Sequence, residues 1–264
     1  MAQLPEELWS LVCEQLCPKG YKAQTRDLEL NTLRNVCLTS KACYIAAKSY
    51  LYHALDFEGP RINRLRPVLR VLLKDPRLCK LVKSLHVKTW KTEYDRGPIG
   101  TSNTVTDIEG DIAVPWEALD LGLSSADALR LTLGVRARIQ DAELALLLYV
   151  CRGLELIEFH MVDHFQQSLV HTALGCASGH LDARLDGKHQ NTSLRPLQHV
   201  RELHIYSHEK ALGYSIQEIA VVLQLPRLGT VRGEMINVQG YQTHPQSFTS
   251  TLKHAYFGSA FDAQ

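Results

Sequence analysis

The sequence predicts a mixed chain, α+β to α/β, with a small helical unit over residues 1–58 and an alternating helix-and-strand region over 61–264. Three observations predict it. Apolar residues recur at helical spacing over residues 5–17 and 33–47. Beyond residue 60, helical runs pass four times through a Leu-rich junction into a short strand-like segment. The chain has 264 residues and is 45% hydrophobic, enough for a sizeable core.

The first helix opens at Pro5, whose missing N–H costs nothing at a helix start. Glu6 and Glu7 then place negative charge on the positive end of the helix dipole. Leu8, Val12 and Leu16 are spaced by four, with Trp9 and Leu11 widening the stripe. Cys17-Pro18 ends the helix, because a residue before Pro is driven out of the helical region. Residues 18–31 are polar and read as a loop. Leu33, Val36, Cys37, Ser40, Tyr44 and Ala47 then share a helix face. Residues 51–57 read as extended, and Gly59-Pro60 closes the unit. So small a unit buries only a modest core, and it carries more apolar side chains than that core holds.

In the longer region the helical runs are 62–73, 124–133 (opened by a Ser cap) and 142–154. Residues 92–114 show no period and are expected to be a flexible insertion. A loop containing Gly175, Gly179 and Gly187 separates the third strand-like segment from what precedes it. The four junction-and-strand pieces are RLCKLVKSLHV, CRGLELIEFHM, LQHVRELHIYS and LPRLGTVRGEM, with centres at Leu85, Ile157, Leu203 and Val231. The last spacing, 28 residues, fits a leucine-rich repeat, and the longer spacings need insertions. A unit of this kind buries its apolar face only by stacking on its neighbours.

Charge excludes some functions. Lys+Arg is 29 against Asp+Glu 28, so no net field points at nucleic acid or membrane. The distribution is uneven: residues 61–91 hold ten basic residues and one acid, and residues 92–160 hold twelve acids and five basic residues. The basic run reads as the solvent face of an amphipathic helix. It lacks the interleaved aromatics of a base-stacking platform, so nucleic acid is not expected as a partner. No run approaches the ~18 apolar residues of a membrane helix, so no membrane partner is expected. Acidic Glu6 and Glu7 stand where a signal peptide carries Lys or Arg, so a cytoplasmic or nuclear location is expected. Seven cysteines, mostly within apolar helical runs, read as reduced thiols.

No enzyme motif is present, and no catalytic residue or cofactor is expected. Residues 160–189 are rich in His and Cys, with pairs His160/His164 and Cys176/His180 four apart. They lack a CxxC or HExxH arrangement, and no metal is expected.

LPEELWSLVCEQL followed by LRNVCLTSKACYIAAKSYLYHALDF resembles an F-box: Leu4-Pro5-Glu6-Glu7, an apolar helix to Leu16, Leu33-Arg34-Asn35-Val36-Cys37, then Leu51-Tyr52. With its Leu-rich junctions the chain is similar to fungal F-box proteins with divergent leucine-rich repeats. The resemblance implies a three-helix F-box over 1–58 and an irregular leucine-rich-repeat-like solenoid over 61–264. It implies a substrate-recognition adaptor of a Skp–cullin–F-box ubiquitin ligase, binding the Skp-type adaptor, and through it the cullin scaffold, by Leu4, Pro5, Leu8, Val12, Leu16, Leu33, Val36 and Cys37. Strand alternation puts Lys83, His86, Glu158, His160, His204 and Tyr206 on an outward face, expected to hold a protein substrate of unspecified identity. The alternative is a repeat scaffold or nucleic-acid-associated protein whose N-terminal helices only cap the repeats. An adaptor leaves the helical unit's apolar faces uncovered; a cap buries them.

Overall fold

The structure, a computed structural model, describes residues 5–17, 23–88, 90–92, 94, 123–178, 196–206, 214–215, 219–234, 236–237 and 252–258. Apart from Thr92 and Tyr94, the insertion expected at 92–114 lies outside these residues, as do Leu4, Gly179, His180 and Gly187.

Three helices open the chain: α1 (Glu6–Leu16), α2 (Ala23–Thr39) and α3 (Lys41–Leu51). Pro5 stands just ahead of α1, and its carbonyl accepts the N–H groups of Leu8 and Trp9 at 3.1 and 3.3 Å. Residues 23–31, read as loop, are helical. Their polarity hides the signal, but Gln24, Arg26, Leu28, Glu29 and Leu30 are all good helix formers. The helix expected over 33–47 is two helices, broken at Ser40. Extended backbone at Ser40 lets its Oγ accept the Cys43 N–H at 3.1 Å, so it caps α3. Cys13, Leu33, Ala46 and Ala47 form a small core of their own, packed round by Trp9, Leu16, Val36, Cys37, Tyr50 and Leu51.

The rest is built on one parallel sheet. Its strands are β1 (Ala54–Phe57), β2 (Ser84–Val87), β3 (Leu156–His160), β4 (Glu202–Tyr206), β6 (Thr230–Glu234) and β8 (His254–Gly258). The order is β1-β2-β3-β4-β6-β8, so each strand joins beside the one before it in sequence. Two short strands, β5 (Tyr214–Ser215) and β7 (Ile236–Asn237), pair separately, also in parallel. Register is continuous. Leu55, Leu85, Ile157, Leu203, Val231 and Ala255 form one row across the sheet, and the four expected strand centres are direct partners within it. Three residues before each centre stands a second apolar side chain: Tyr52, Val82, Leu154, Val200, Leu228 and Leu252. All belong to the core or pack against it.

Between strands the chain runs through helices: α4 (Leu65–Lys74) and α5 (Pro76–Cys79), then α6 (Ser125–Arg136) and α7 (Gln140–Val150), then α8 (Leu169–Ser178). Leu65, Leu69 and Leu72 of α4 join the strand residues Leu85, Val87, Ile157, Phe159, Leu203 and Ile205 in the main core. The helices therefore cover the face carrying the odd-numbered strand residues. Helix α7 packs against α4, α6 and α8, which explains why it is buried from Asp141 to Tyr149.

Two local devices fix this layer. Asp141 is fully buried, and its carboxylate accepts the N–H groups of Leu169 and Val170 at 2.8 and 3.0 Å. It caps α8 from a neighbouring helix and places negative charge at that helix's positive end. At Gly134 an added Cβ would lie 2.6 Å from the Ala142 Cβ, so only glycine lets α6 approach α7 this closely.

Three expectations change. Gly175 lies inside α8 rather than in a loop, because Leu169, Val170, Ala173, Leu174 and Ala177 supply the apolar positions that bury the helix. The fourth helical run, expected ahead of the last strand-like segment, contributes, among its described residues, a 3-10 turn at Val222–Gln224. And β1, assigned by sequence to the N-terminal unit, is hydrogen-bonded to β2 and buries Leu55 and Phe57 in the main core, so the sheet begins before residue 58.

Candidate functional site

Even-numbered strand residues lie on the face away from the helices. There Asp56, His86, Glu158, His204, Arg232 and Tyr256 stand side by side, one per strand. Five of the six are Asp, Glu, His or Arg, so a row of ionisable side chains crosses the sheet.

At its centre Glu158 Oε2 lies 3.0 Å from His86 Nδ1 and 3.8 Å from His204 Nδ1. The first is a hydrogen bond; the second, at this length, is not. His204 Nε2 lies 3.7 Å from Glu202 Oε2, so this imidazole sits between two carboxylates. To one side, Asp56 Oδ2 accepts from Arg61 Nη1 at 2.8 Å. To the other, the Arg232 guanidinium lies 6.0 Å from the Tyr256 ring centre. Burial pushes the Glu158 carboxyl up, but the imidazoles of His204 and His86 outweigh it and hold the group well below the usual carboxylate range. A carboxylate so held stays ionised through the physiological range and has no proton to give. Glu158 therefore serves the row as a fixed negative charge and not as a general acid.

The sequence placed His86, Glu158, His160, His204 and Tyr206 on one face, and the structure brings them together there. His160 and Tyr206 are register partners with ring centres 5.2 Å apart. The expectation that this set is open to solvent is overturned for four of the five; Tyr206 is half-buried. His86, Glu158, His160 and His204 are 7%, 4%, 6% and 2% exposed, and the Trp90 indole N–H closes over the end of β3 to donate to the His160 carbonyl at 2.8 Å. Alternation reports which face a residue takes, not whether that face is wet. Lys83 is also displaced. It precedes β2, lies off the row, and pairs with Glu155 at 2.9 Å at the entry to the strands. Sequence reasoning missed Asp56 and Tyr256, on the two edge strands, and Arg232, on β6 beside one of them.

The second candidate surface is the helical unit. Leu8, Leu11 and Val12 share one face of α1 and are exposed, as are Leu28, Leu38, Tyr44 and Ile45 on α2 and α3. Leu38, 77% exposed, is the extreme. Of the expected docking residues, Pro5, Leu8 and Val12 are exposed, while Leu16, Val36 and Cys37 are half-buried against the small core. Leu33 is fully buried and is core, not surface, because α2 turns that face toward Cys13 and Ala46. Leu4 lies outside the described residues. The single stripe expected on α1 is thus split. Trp9, Cys13 and Leu16 face inward, and Leu8, Leu11 and Val12 face out.

Among the described residues, no group of three His, Cys, Asp or Glu side chains is arranged to hold a metal ion. His160 ends a strand and His164 sits in a left-handed turn, so this pair does not share a helix face. No helix among them is long and apolar enough to cross a membrane. Compared with protein-family models, with curated proteins and with solved structures, the chain matches none.

Proposed function

We propose that this chain is a substrate-recognition adaptor of a Skp–cullin–F-box type ubiquitin ligase. Its N-terminal helices dock on a Skp-type adaptor, and its sheet region presents a protein substrate to the enzyme carried by the cullin scaffold. One observation carries this reading: the helical unit has its own small core yet leaves Leu8, Leu11, Val12, Leu28, Leu38, Tyr44 and Ile45 uncovered. A unit that merely capped the repeats would turn those side chains against the sheet region. The sequential all-parallel strand order, with helices on one face, supports an irregular leucine-rich-repeat-like solenoid as the substrate-holding part. The chain makes and breaks no bond in this role. It raises the local concentration of a substrate lysine near the charged enzyme, in the cytoplasm or nucleus.

The test is a pull-down of purified Skp-type adaptor by the full chain carrying Leu8→Ala and Val12→Ala. Both side chains are exposed, so stability changes by no more than about 0.5 kcal/mol. Central interface anchors cost more than about 1 kcal/mol each when truncated, so binding falls by roughly tenfold or more. Leu33→Ala instead costs about 2–5 kcal/mol of folding stability, because that side chain is buried. A folded double variant that binds the adaptor as tightly as the parent overturns the proposal.

A further inference from the structure

Strand β8 is one edge of the six-stranded sheet, and its exposure departs from that of the sheet's five other strands. At the core-facing row Leu55, Leu85, Ile157, Leu203 and Val231 are all buried, but Ala255 is exposed, along with its neighbours Lys253, His254 and Tyr256. Leu252, one step earlier in the repeat, is only half-buried against the core. The apolar layer is thus open at this end.

Backbone direction identifies the free groups. His254 N–H donates to the Gly229 carbonyl at 3.1 Å, toward β6. Along a parallel strand successive residues point their N–H and C=O to alternate sides. The N–H and C=O of Ala255 therefore point away from β6, and among the described residues β8 has β6 as its one partner.

Charge then selects the occupant. Lys253, His254 and Arg232 are exposed on or beside this edge, and β8 itself carries no acid. The sheet shows how such a row is completed. In β3 the segment Leu156-Ile157-Glu158-Phe159 puts Glu158 beside His86 and His204 on one face, and Ile157 and Phe159 into the core on the other.

We propose that the β8 edge binds an extended peptide segment alternating acidic and apolar residues, added as a further strand beside β8. Its apolar side chains cover Ala255 and Leu252, its carboxylates face His254 and Arg232, and Lys253, at the entry to the strand, adds positive charge beside them. This inference does not depend on the adaptor reading, since neither the helical unit nor a Skp-type adaptor takes part.

The test uses the full chain with two fluorescein-labelled decapeptides, one alternating Glu with Val and one alternating Lys with Val. Fluorescence anisotropy reports binding, and hydrogen exchange reports protection of the Ala255 amide. The Glu–Val peptide is expected to bind at least tenfold more tightly than the Lys–Val peptide and to slow exchange at Ala255. Ala255→Pro removes one outward N–H without touching the β6 ladder, since proline is tolerated on an open strand edge. It is expected to weaken binding at least tenfold with an unchanged melting temperature. Should that variant misfold, Arg232→Glu with Lys253→Glu keeps the question open to test, because it is expected to reverse the preference between the two peptides. No binding, equal binding of both peptides, or no reversal by the charge variant overturns the proposal. So does protection of the Ala255 amide in a peptide-free dimer, which makes a second copy the occupant.

Discussion

Replacing Glu158 by Gln tests whether the ionic row holds the sheet together. The side chain is 6% exposed and sits between His86 and His204, so solvent screens this site little. An amide offers one acceptor and one donor where the carboxylate offers two acceptors. Both imidazoles approach the same carboxylate oxygen, Oε2, so after the change they meet either a neutral amide oxygen or an N–H. Removing one partner of a buried ionic group costs about 3–5 kcal/mol, chiefly because the remaining charge loses its compensation. For a chain of this size each kcal/mol is worth roughly 2–4 °C, so a fall of about 6–20 °C in Tm is expected at pH 7. The pH dependence adds a sign. Glu158 is held below its ordinary value in the folded chain, whereas in the unfolded chain it titrates near about 4.3. Its contribution is therefore complete above that pH. It declines as pH falls toward the folded value, by up to about 1.4 kcal/mol per pH unit. Urea unfolding of parent and Glu158→Gln at pH 7, 5, 4 and 3 should show a gap that is constant from pH 7 to 5 and narrows below it. A pH 7 loss under about 1 kcal/mol, or parallel curves from pH 5 to 3, refutes the reasoning.

Two further substitutions probe the helix layer. Gly134→Ala gains about 1 kcal/mol of helix propensity but meets Ala142 Cβ at 2.6 Å, and overpacking of that kind costs about 1–3 kcal/mol. A net loss of up to about 2 kcal/mol is expected by urea unfolding, and it should be recovered by adding Ala142→Gly, which removes the obstacle. Asp141→Ala leaves the buried N–H groups of Leu169 and Val170 without their acceptor, so a loss of roughly 2–4 kcal/mol is expected, with faster hydrogen exchange in the first turn of α8. Unchanged exchange at those two amides would show that another group caps the helix.

The repeat was legible because its residues are physically equivalent. Leu85, Ile157, Leu203 and Val231 each occupy the same place over the helices, so the same apolar type recurs six residues into each junction piece or deeper. Strand β8 escaped for the opposite reason: it lies at the sheet's end, where Ala255 meets solvent and no longer has to be large and apolar. The segment of β1 reads as extended, but it stands next to the helical unit and groups with it. In the helical unit the sequence gives no sign of the break at Ser40, since Ser40 falls on the same helical face as Cys37 and Tyr44. The capping hydrogen bond to Cys43 decides between one helix and two. The exposure of the polar row was illegible because period-two alternation records side and not depth. Glu158, flanked by Ile157 and Phe159, reads alike whether its face is open or closed.

The junction between the two parts bears on how an adaptor of this build would work. Helix α3 ends at Leu51 and β1 begins at Ala54, leaving Tyr52 and His53 as the whole connection. Both residues are engaged. Tyr52 packs on the main core, and the His53 carbonyl accepts the N–H groups of Lys83 and Ser84 at 2.8 and 3.0 Å. Lys48 on α3 reaches Asp75 Oδ2 at 3.4 Å, a second tie between the parts. A flexible joint would let a bound substrate sample many positions and dilute its effective concentration at the enzyme. Here α3 runs directly into the first strand of the sheet, so the sheet's direction is set by the helical unit that an adaptor would hold. The separate small core serves folding of the helical unit, while β1, by belonging to the larger core, makes that unit and the sheet mechanically one.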